Sequence, residues 1–323
     1  MKDLEYKIGI DIGGTNTSLG LVDTNGRCIK KINFSTSANK SIEEFISKLA
    51  RSVREICMID THEVHPVGIG IAAPAAQHRA GLIQNPANLL WGTINIADLL
   101  KQQYDLPITV INDSNAVALG EMKYGLARGM KNFVAITLGT GLGAGVVMNG
   151  ELVNGANGFA GELGHIIVEP NGRKCGCKRR GCVETYVSAT GMCRTAFELM
   201  SSELDASKLR ERTYSNLTAK VLYDLAIEGD ILARKTFEVT GEIFGKMLAS
   251  TVVSFDPEAI ILSGGLVHAG EFLFKPTLKS FNENVLSSLR GKIAVFPSQF
   301  SDGEAAILGA SSVIDINEPI SAE

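Results

Sequence analysis

The chain's 323 residues are 45% hydrophobic and 20% charged, a composition typical of globular proteins, and this length suits two domains better than one. The formal net charge of −4 gives no support to nucleic-acid binding. No charged and then apolar leader opens the sequence, and no apolar run approaches the roughly 20 residues of a membrane helix, so we expect a cytoplasmic protein without membrane contact.

The first half of the chain alternates predicted strands and helices. Residues 6–11 predict a buried strand that runs into a glycine turn, and Asn25-Gly26 is the signal of a tight hairpin. Apolar residues at helical spacing predict a helix over residues 41–59, with Ser41 and Glu44 as a capping box. The next predicted elements are a strand over 67–74, a short helix over 94–104, a strand over 108–113 and a helix over 116–124.

A second copy of the strand–glycine turn–strand unit begins at Phe133. When I-G-I-D-I-G-G-T-N is set beside V-A-I-T-L-G-T-G-L, Gly13 falls on Gly139, 126 residues later. An Asn-Gly turn follows in both copies. We interpret the repeat as two related lobes, each presenting a glycine turn toward a common cleft. Two coincidental hairpins are the alternative.

The rest of the chain is predicted to be mainly helical. Helices are expected over residues 189–201, 218–228, 231–254 and 276–290, and a buried strand over 255–266. Ser301, with Glu304 three residues on, is predicted to cap a last helix over 305–314.

Residues 161–184 hold the densest group of metal-ligating side chains. In the pattern H-x9-C-x-C-x4-C, these are His165, Cys175, Cys177 and Cys182. Zinc takes four such ligands in a tetrahedron, and a Cys3His set leaves no open position for chemistry, so we predict structural zinc. The other three cysteines, at 28, 57 and 193, are interpreted as core residues and not as disulfide partners.

Two glycine-rich turns can receive phosphate. The motifs are Asp11-x-Gly13-Gly14-Thr15 and Gly139-Thr140-Gly141-x-Gly143, where backbone N–H groups are exposed without bulky side chains. No Walker lysine is present, and a strand follows the glycines where a dinucleotide fingerprint has a helix. Either motif alone could be a plain hairpin turn. Both together, with the strand end at Ser263-Gly264-Gly265, predict a nucleotide held between lobes.

Asp113 lies where a predicted strand ends and a helix begins. A carboxylate there either caps the helix or acts as a general base. Phosphoryl transfer to an alcohol needs a carboxylate that accepts the hydroxyl proton and orients the oxygen. The run N-D-S-N is polar directly after I-T-V-I, which predicts side chains that face a cleft. Beside two phosphate turns, we favour the base.

Taken together, these motifs make nearly the whole chain resemble the ROK family of sugar kinases, within the superfamily that includes hexokinases, actin and the heat-shock ATPases. The most specific motif is E-L-G-H followed by C-x-C-x4-C-x-E, over residues 162–184. Supporting motifs are D-I-G-G-T at 11, N-P-A-N-L-L-W at 85, N-D-S-N at 112, L-G-T-G-L-G at 138, D-P-E-A-I-I-L-S-G-G at 256 and A-A-I-L-G-A at 305.

The resemblance implies an α/β protein with the two-lobed actin-like ATPase (ribonuclease H-like) fold, in which duplicated β-sheet lobes surround a nucleotide and sugar cleft. We expect a small domain over residues 1–118 and 303–323 and a large domain over 119–302. The large domain would carry the second glycine turn, the zinc loop and the adenosine site. A homodimer is expected from the resemblance.

The implied activity is that of an ATP-dependent hexose kinase, similar above all to bacterial zinc-containing glucokinases, which phosphorylate the 6-hydroxyl of glucose. Kinases of fructose, allose, N-acetylglucosamine and N-acetylmannosamine share the same motifs and stay as alternatives. A non-catalytic sugar-sensing protein is the alternative of another class. Repressors of the family carry an N-terminal helix-turn-helix. Because the first glycine turn begins here by residue 13, we do not expect such a DNA-binding domain or a repressor function.

The resemblance also assigns roles to residues. Asp113 is the catalytic base, and the sugar is held by Asn88, Asn112, Asp113, Glu162, His165 and Glu184. ATP is held by Gly13, Gly14, Thr15, Asn16, Gly139, Thr140, Gly141, Gly264 and Gly265, with Asp11 near Mg²⁺. His165 would serve both the structural zinc and the sugar. Two residues depart from the family pattern: Asn16 stands where members often have lysine, and Lys178 where many have glycine.

Overall fold

The computed structural model describes residues 5–36, 41–77, 80–86, 89 and 91–316. The chain divides into two compact units. The first unit comprises Met1–Met130, Asn154–Ala160 and Gln299–Glu323, and the second comprises Lys131–Val153 and Gly161–Ser298. The domain boundaries predicted after residues 118 and 302 stay a prediction. No helix among the described residues is both long and apolar enough to cross a bilayer.

The first unit contains ten strands and four helices among its described residues. The strands are β1 (Tyr6–Ile12), β2 (Asn16–Asp23), β3 (Cys28–Ser35), β4 (Met58–Ile59), β5 (His62–Glu63), β6 (Pro66–Ala73), β7 (Ala76–Gln77), β8 (Leu82–Ile83), β9 (Ile94–Asn95) and β10 (Ile108–Asn112). The helices are α1 (Ile42–Ile56), α2 (Ile96–Lys101), α3 (Asp113–Tyr124) and, near the C-terminus, α9 (Glu304–Ser312).

The second unit contains five strands and five helices. The strands are β11 (Phe133–Leu138), β12 (Leu142–Met148), β13 (Glu151–Leu152), β14 (Ala259–Ser263) and β15 (Ala294–Pro297). The helices are α4 (Glu184–Val187), α5 (Ala189–Ser202), α6 (Ala219–Ile227), α7 (Ile231–Phe255) and α8 (Glu271–Asn284).

The central sheets of the two units have the same topology. Their strand orders are β10-β6-β1-β2-β3 and β15-β14-β11-β12-β13. In each sheet the opening strand pairs antiparallel with the strand after it and parallel with a later one: β1 with β2 and β6, β11 with β12 and β14. Both opening hairpins have three-residue turns. The interpretation of the repeat as two related lobes is therefore confirmed, since coincidental hairpins would not share a five-strand order.

Each unit has its own hydrophobic core. In the first unit, Ile8, Ile10 and Ile12 alternate along β1 and are fully buried, together with Phe45 and Leu49 of α1. Buried residues thus recur every two positions in the strand and about every four in the helix, as the sequence pattern predicts. In the second unit, β11 and β14 share one hydrophobic core with the long helix α7, which supplies Phe237, Phe244 and Leu248.

Helix α9 packs with its backbone against the elements that carry the site of the first unit. A Cβ atom added at Gly309 would lie 1.6 Å from the Ala116 carbonyl oxygen of α3. One added at Gly9 of β1 would lie 1.9 Å from the Ile307 oxygen. Side chains at these two positions would push α9 off both α3 and β1, so the glycines set how closely these elements approach.

Three predicted helices need correction. Helix α8 begins at Glu271 after Gly270 (φ 55°) and ends at Asn284, so Pro276 lies inside it and does not mark its start. The ring of Pro276 occupies the space beside Gly241, where a Cβ atom would lie 2.6 Å from it. The predicted helix over 94–104 opens as strand β9 and is helical over 96–101. Helix α3 begins three residues earlier than the predicted 116.

The two predicted capping boxes have different outcomes. Ser41 caps α1 as expected, because its hydroxyl accepts the Glu44 N–H at 3.3 Å. The last helix is capped by Gly303, and Ser301 does not fill that position. Ser301 donates its N–H and hydroxyl to the Glu304 carboxylate, at 3.1 and 2.7 Å. The predicted contact between Ser301 and Glu304 is therefore present at the start of α9, but Ser301 is not the capping residue.

Candidate active site

The polar run N-D-S-N, which begins at the last residue of β10, lies at the carboxyl edge of three parallel strands of the first unit. Strand register sets Asp11 of β1 level with Ala72 of β6, and Ile111 of β10 level with the same Ala72. Asp11 and Asp113 therefore both lie at this edge, with β6 between their strands. Each carboxylate is partly buried.

Asn112 and not Asp113 caps helix α3. The Asn112 backbone is extended (φ −60°, ψ 141°), and its Oδ1 accepts the N–H groups of Ser114 and Asn115 at 3.0 and 3.2 Å. Asp113 is the first residue of the helix, and its Oδ1 also accepts the Ser114 N–H, at 2.8 Å. The capping role that Asp113 could have had is therefore filled by its neighbour.

Burial shifts the titration of both carboxylates at this edge. Burial raises the pKa of Asp113, and the hydrogen bonds from Ser114 oppose this shift. Burial, with the negative charge of Asp113, raises the pKa of Asp11 to about 7, and Lys31 opposes this shift. Asp113 thus has a higher proton affinity than an exposed aspartate, which suits a base.

The first glycine turn, Gly13–Thr15, directly follows β1 and begins two residues after Asp11. Gly13 N–H donates to the Asn16 carbonyl at 2.9 Å, which closes the turn. Gly13 and Gly14 are half-buried, whereas Thr15 and Asn16 are exposed. The predicted phosphate-binding residues of the first unit therefore lie together, adjoining Asp11. Asn88, the remaining predicted sugar contact of this unit, lies outside the described residues.

The four predicted zinc ligands of the second unit converge. Their ligand atoms all lie within 4.8 Å of one another. Cys175 Sγ is 3.7 Å from His165 Nδ1, and Cys177 Sγ is 3.5 Å from Cys182 Sγ. A tetrahedral zinc with bonds of about 2.3 Å to sulfur and 2.0 Å to nitrogen separates its ligand atoms by roughly 3.5–3.8 Å. The geometry and the donor set therefore fit zinc.

The metal loop, residues 165–182, is shaped by its own backbone. Cys175 N–H donates to the Arg179 carbonyl at 2.9 Å, and Lys178 N–H to the Cys175 carbonyl at 3.0 Å. Lys178 has φ 71°, in the left-handed region that favours glycine. The turn therefore keeps the shape that a glycine would give it, with a small strain at Lys178.

Glu162 directly precedes the short 3-10 turn Leu163–His165, and His165 ends it. Because His165 points Nδ1 at Cys175, its Nε2 faces the other way, 3.9 Å from Glu162 Oε2. Cβ atoms at Gly161 and Gly164 would meet the carbonyls of β12, at 2.8 Å from Ala144 and 2.2 Å from Leu142. These two glycines let the turn lie directly on the strand.

Glu184 connects the metal loop to the second glycine turn, Gly139–Gly141. Its Oε1 lies 3.9 Å from Cys175 Sγ, and its Oε2 accepts the Leu142 N–H at 3.0 Å. A Cβ atom at Gly141 would lie 2.5 Å from the same Oε2. A carboxylate predicted to bind sugar is thus in contact with a turn predicted to bind phosphate.

The predicted adenosine residues lie beside the same turn. Gly264 follows β14, which is parallel to β11, and has φ 92°. A Cβ atom there would lie 2.5 Å from the Leu138 carbonyl oxygen, one residue before the turn. Gly265 opens the next 3-10 turn, Gly265–Ala269. The structure therefore brings all five predicted nucleotide residues of the second unit to one sheet edge.

Sequence reasoning missed two residues that hold the second turn. Ala189 N–H donates to the Gly139 carbonyl at 2.9 Å, and Thr190 Oγ1 donates to the Thr140 carbonyl at 3.1 Å. Both lie in the first turn of α5, capped by Ser188, whose hydroxyl accepts the Gly191 N–H. The signal in the sequence is S-A-T-G, a cap residue followed two positions later by a hydroxyl residue, which begins four residues after the glutamate of the metal motif.

Comparison with known proteins agrees with these features. Residues 7–315 match the model of the ROK family. A glucokinase of Thermotoga maritima is 36% identical over 312 residues, 95% of this chain and 96% of that protein. A glucokinase of Halalkalibacterium halodurans is 33% identical over 290 residues, 88% of each chain. The solved structure of a ROK family glucokinase from Streptomyces griseus, in complex with glucose and AMPPNP, matches with TM-score 0.82 and 31% identity, over 95% of this chain and 98% of that one.

The duplicated sheets, with glycine turns after their first strands, define an α/β protein of the two-lobed actin-like ATPase class, and the match to the Streptomyces structure confirms this prediction. Within that class, the chain belongs to the ROK family.

Proposed function

We propose that the chain is an ATP-dependent glucokinase, which transfers the γ-phosphoryl group of ATP to the 6-hydroxyl of glucose. The observation that carries the proposal is Asp113, a partly buried carboxylate of raised pKa whose capping role is taken by Asn112. The similarity to glucokinases over 95% of the chain supports the choice of substrate.

Asp113 acts as the base in this reaction. Its carboxylate accepts the proton of the 6-hydroxyl while that oxygen attacks the γ-phosphorus in line. The new O6–P bond forms as the bridging bond between the β- and γ-phosphates breaks, and ADP leaves with that bridging oxygen. Ser114 N–H, 2.8 Å from Asp113 Oδ1, fixes the carboxylate in place.

The remaining sugar contacts orient the acceptor. Asn88, Asn112, Glu162, His165 and Glu184 bind the other hydroxyls. Since Asn112 Oδ1 already accepts two backbone N–H groups, its NH₂ group is the part that donates to the sugar. His165 contributes Nε2, because Nδ1 faces the cysteines.

ATP binds through the two glycine turns and Gly264-Gly265, as the sequence predicts. The N–H groups of Gly13 and Gly139 close their turns, so the N–H groups of Gly14–Asn16 and of Thr140 and Gly141 are the ones that receive the phosphate oxygens. Mg²⁺, when bound near Asp11, neutralises phosphate charge and so replaces the positive charge that a lysine at position 16 would supply. Zinc, held by His165, Cys175, Cys177 and Cys182, is structural, and the closeness of those four ligand atoms supports this assignment.

We also propose a cytoplasmic homodimer with a small domain over 1–118 and 303–323 and a large one over 119–302. ATP and free hexoses as substrates support the compartment. The family resemblance supports the dimer. Size-exclusion chromatography with light scattering measures the mass of the protein in solution and so tests it.

A hexose panel with ATP and Mg²⁺ tests the proposed function. We expect ADP release with glucose, and none with 6-deoxyglucose, which lacks the acceptor hydroxyl. 6-Deoxyglucose should still compete with glucose, because its other hydroxyls are intact. Faster turnover of another hexose or an N-acetylhexosamine would reassign the substrate, and sugar binding without turnover of any sugar would favour a sensing protein.

A further inference from the structure

The second glycine turn is held by three contacts from a single segment, residues 184–190. Ala189 N–H and the Thr190 hydroxyl hold two consecutive carbonyls, those of Gly139 and Thr140. Glu184 Oε2 takes the N–H of Leu142, where β12 begins. A three-residue turn is thus fixed on both sides by hydrogen bonds that come from outside it.

Fixing a carbonyl also fixes the N–H group that follows it. A trans peptide is planar, and its C=O and N–H bonds point in opposite directions. The hydrogen bond from Thr190 to the Thr140 carbonyl therefore directs the Gly141 N–H away from α5. The bond from Ala189 to the Gly139 carbonyl directs the Thr140 N–H in the same way. These are the two N–H groups that the turn would offer to phosphate.

Thr190 is exposed, but its hydroxyl is ordered by its neighbours. Its Oγ1 lies 3.0 Å from Ser188 Oγ, which donates to the Glu184 carbonyl at 2.7 Å. The same Ser188 hydroxyl accepts the Gly191 N–H at 3.1 Å. Because Ser188 gives its only proton to that carbonyl, its contact fixes the position of the Thr190 oxygen beside the turn, and the single proton of Thr190 is the one that reaches the Thr140 carbonyl.

We propose that Thr190 is a positioning residue for the nucleotide: through the Thr140 carbonyl, it aims the Gly141 N–H at a phosphate oxygen. Glu184 has the matching role at Leu142 and thereby couples the sugar contact to the same turn. The inference rests on the proposed kinase function. Neither residue has to touch the nucleotide for this effect.

Thr190→Val keeps the shape of the side chain and removes its hydroxyl. We expect the Kd of AMPPNP, measured by titration calorimetry, and the KM for ATP to rise about fivefold, as for the loss of one hydrogen bond. The KM for glucose should stay within twofold. Thr190→Ser, which keeps the hydroxyl, should restore the wild-type values. Thr61→Val, at an exposed threonine of the first unit, is the matched control and should change neither constant.

Gly141→Ala tests the link through Glu184 from the other side. The new methyl group displaces the carboxylate, which lies 2.5 Å from the added Cβ position. A substitution in the nucleotide turn should therefore raise the KM for glucose, by about fivefold or more. An unchanged KM for glucose overturns the coupling.

The two proposals fail in different ways. Tight AMPPNP binding by the wild-type protein without phosphorylation of any hexose overturns the kinase assignment. Equal AMPPNP affinity of the wild-type protein and Thr190→Val overturns the positioning role. Equal rises in the KM for ATP and for glucose in Thr190→Val also overturn it, because they indicate general loosening of the second unit.

Discussion

Asn112 and Asp113 are adjacent, and either could cap a helix by side-chain type. The capping residue is the one with the extended backbone, and which residue that is depends on where the chain passes from strand β10 to helix α3. The sequence could place a polar pair at the strand end, but it could not assign the two roles. The structure assigns the cap to Asn112, which leaves the Asp113 carboxylate available for chemistry.

Asp113→Asn should reduce kcat by about 10²–10⁴-fold, because an amide cannot accept the hydroxyl proton. The affinity for glucose, measured by calorimetry, should change by less than threefold, since an amide still hydrogen-bonds to a hydroxyl. Asp105→Asn, at an exposed position of the same unit, is the control and should keep full activity. Retained turnover in Asp113→Asn would refute the assignment of the base.

Asp11→Asn should stabilise the protein above pH 7. The folded-state pKa of about 7 lies above the ordinary value of 3.8, so the buried acid contributes stability below about pH 4 and loses it as the pH rises to 7. At pH 8 the wild-type protein keeps a buried charge that the amide lacks. Without Mg²⁺, Tm should rise by roughly 2–4 °C for each kcal/mol regained, with no gain at pH 4. An equal gain at both pH values would exclude ionisation as the cause.

At the scale of elements, the packing of α9 shows what a helical pattern leaves undetermined. The sequence predicts the helix from its apolar residues, yet nothing local says that Gly309 touches the backbone of α3. That contact joins residues almost 200 positions apart. The shift of α8 has the same origin, because Pro276 is a starting signal locally and a packing residue against α7 in the fold.

Gly309→Ala should destabilise the first unit. Alanine favours a helix over glycine by about 0.5–1 kcal/mol, but the added methyl would lie 1.6 Å from the Ala116 oxygen. Overpacking of this kind costs about 3 kcal/mol or more, so the net loss is about 2 kcal/mol. Urea unfolding measures it. Gly176→Ala, where a Cβ meets nothing within 4 Å, is the control and should be nearly neutral; equal losses in both variants would contradict the packing argument.

The metal loop was the element most fully predictable from sequence. Its four ligands lie within eighteen residues, so local turns suffice to bring His165 and the three cysteines together. Contacts from the loop to the rest of its unit were not predictable. Glu184 reaches Leu142 across 42 positions, and the motif gives no sign of that partner.

At the scale of the whole molecule, the internal repeat was the strongest guide to the fold. It predicted a strand–glycine turn–strand unit in each lobe, and the structure extends the equivalence to five strands in each sheet. The added strands, β6 and β14, follow their hairpins after segments of very different length. Their pairing could not be read from a fixed period, since it depends on contacts that close only in the folded unit.

Each unit has a core of its own, so calorimetry should resolve two unfolding transitions. A chelator should lower one transition by on the order of 10 °C, because the free energy of metal binding adds to the folding of the second unit alone. Cys177→Ser should lower the same transition and should abolish most of the response to chelator, whereas Cys28→Ser, in the first unit, should keep it. Asp11→Asn should raise the other transition at pH 8. If chelator and Asp11→Asn move the same transition, the two cores unfold as one cooperative block, and the metal then stabilises the edge that carries Asp11 and Asp113 as well as its own loop.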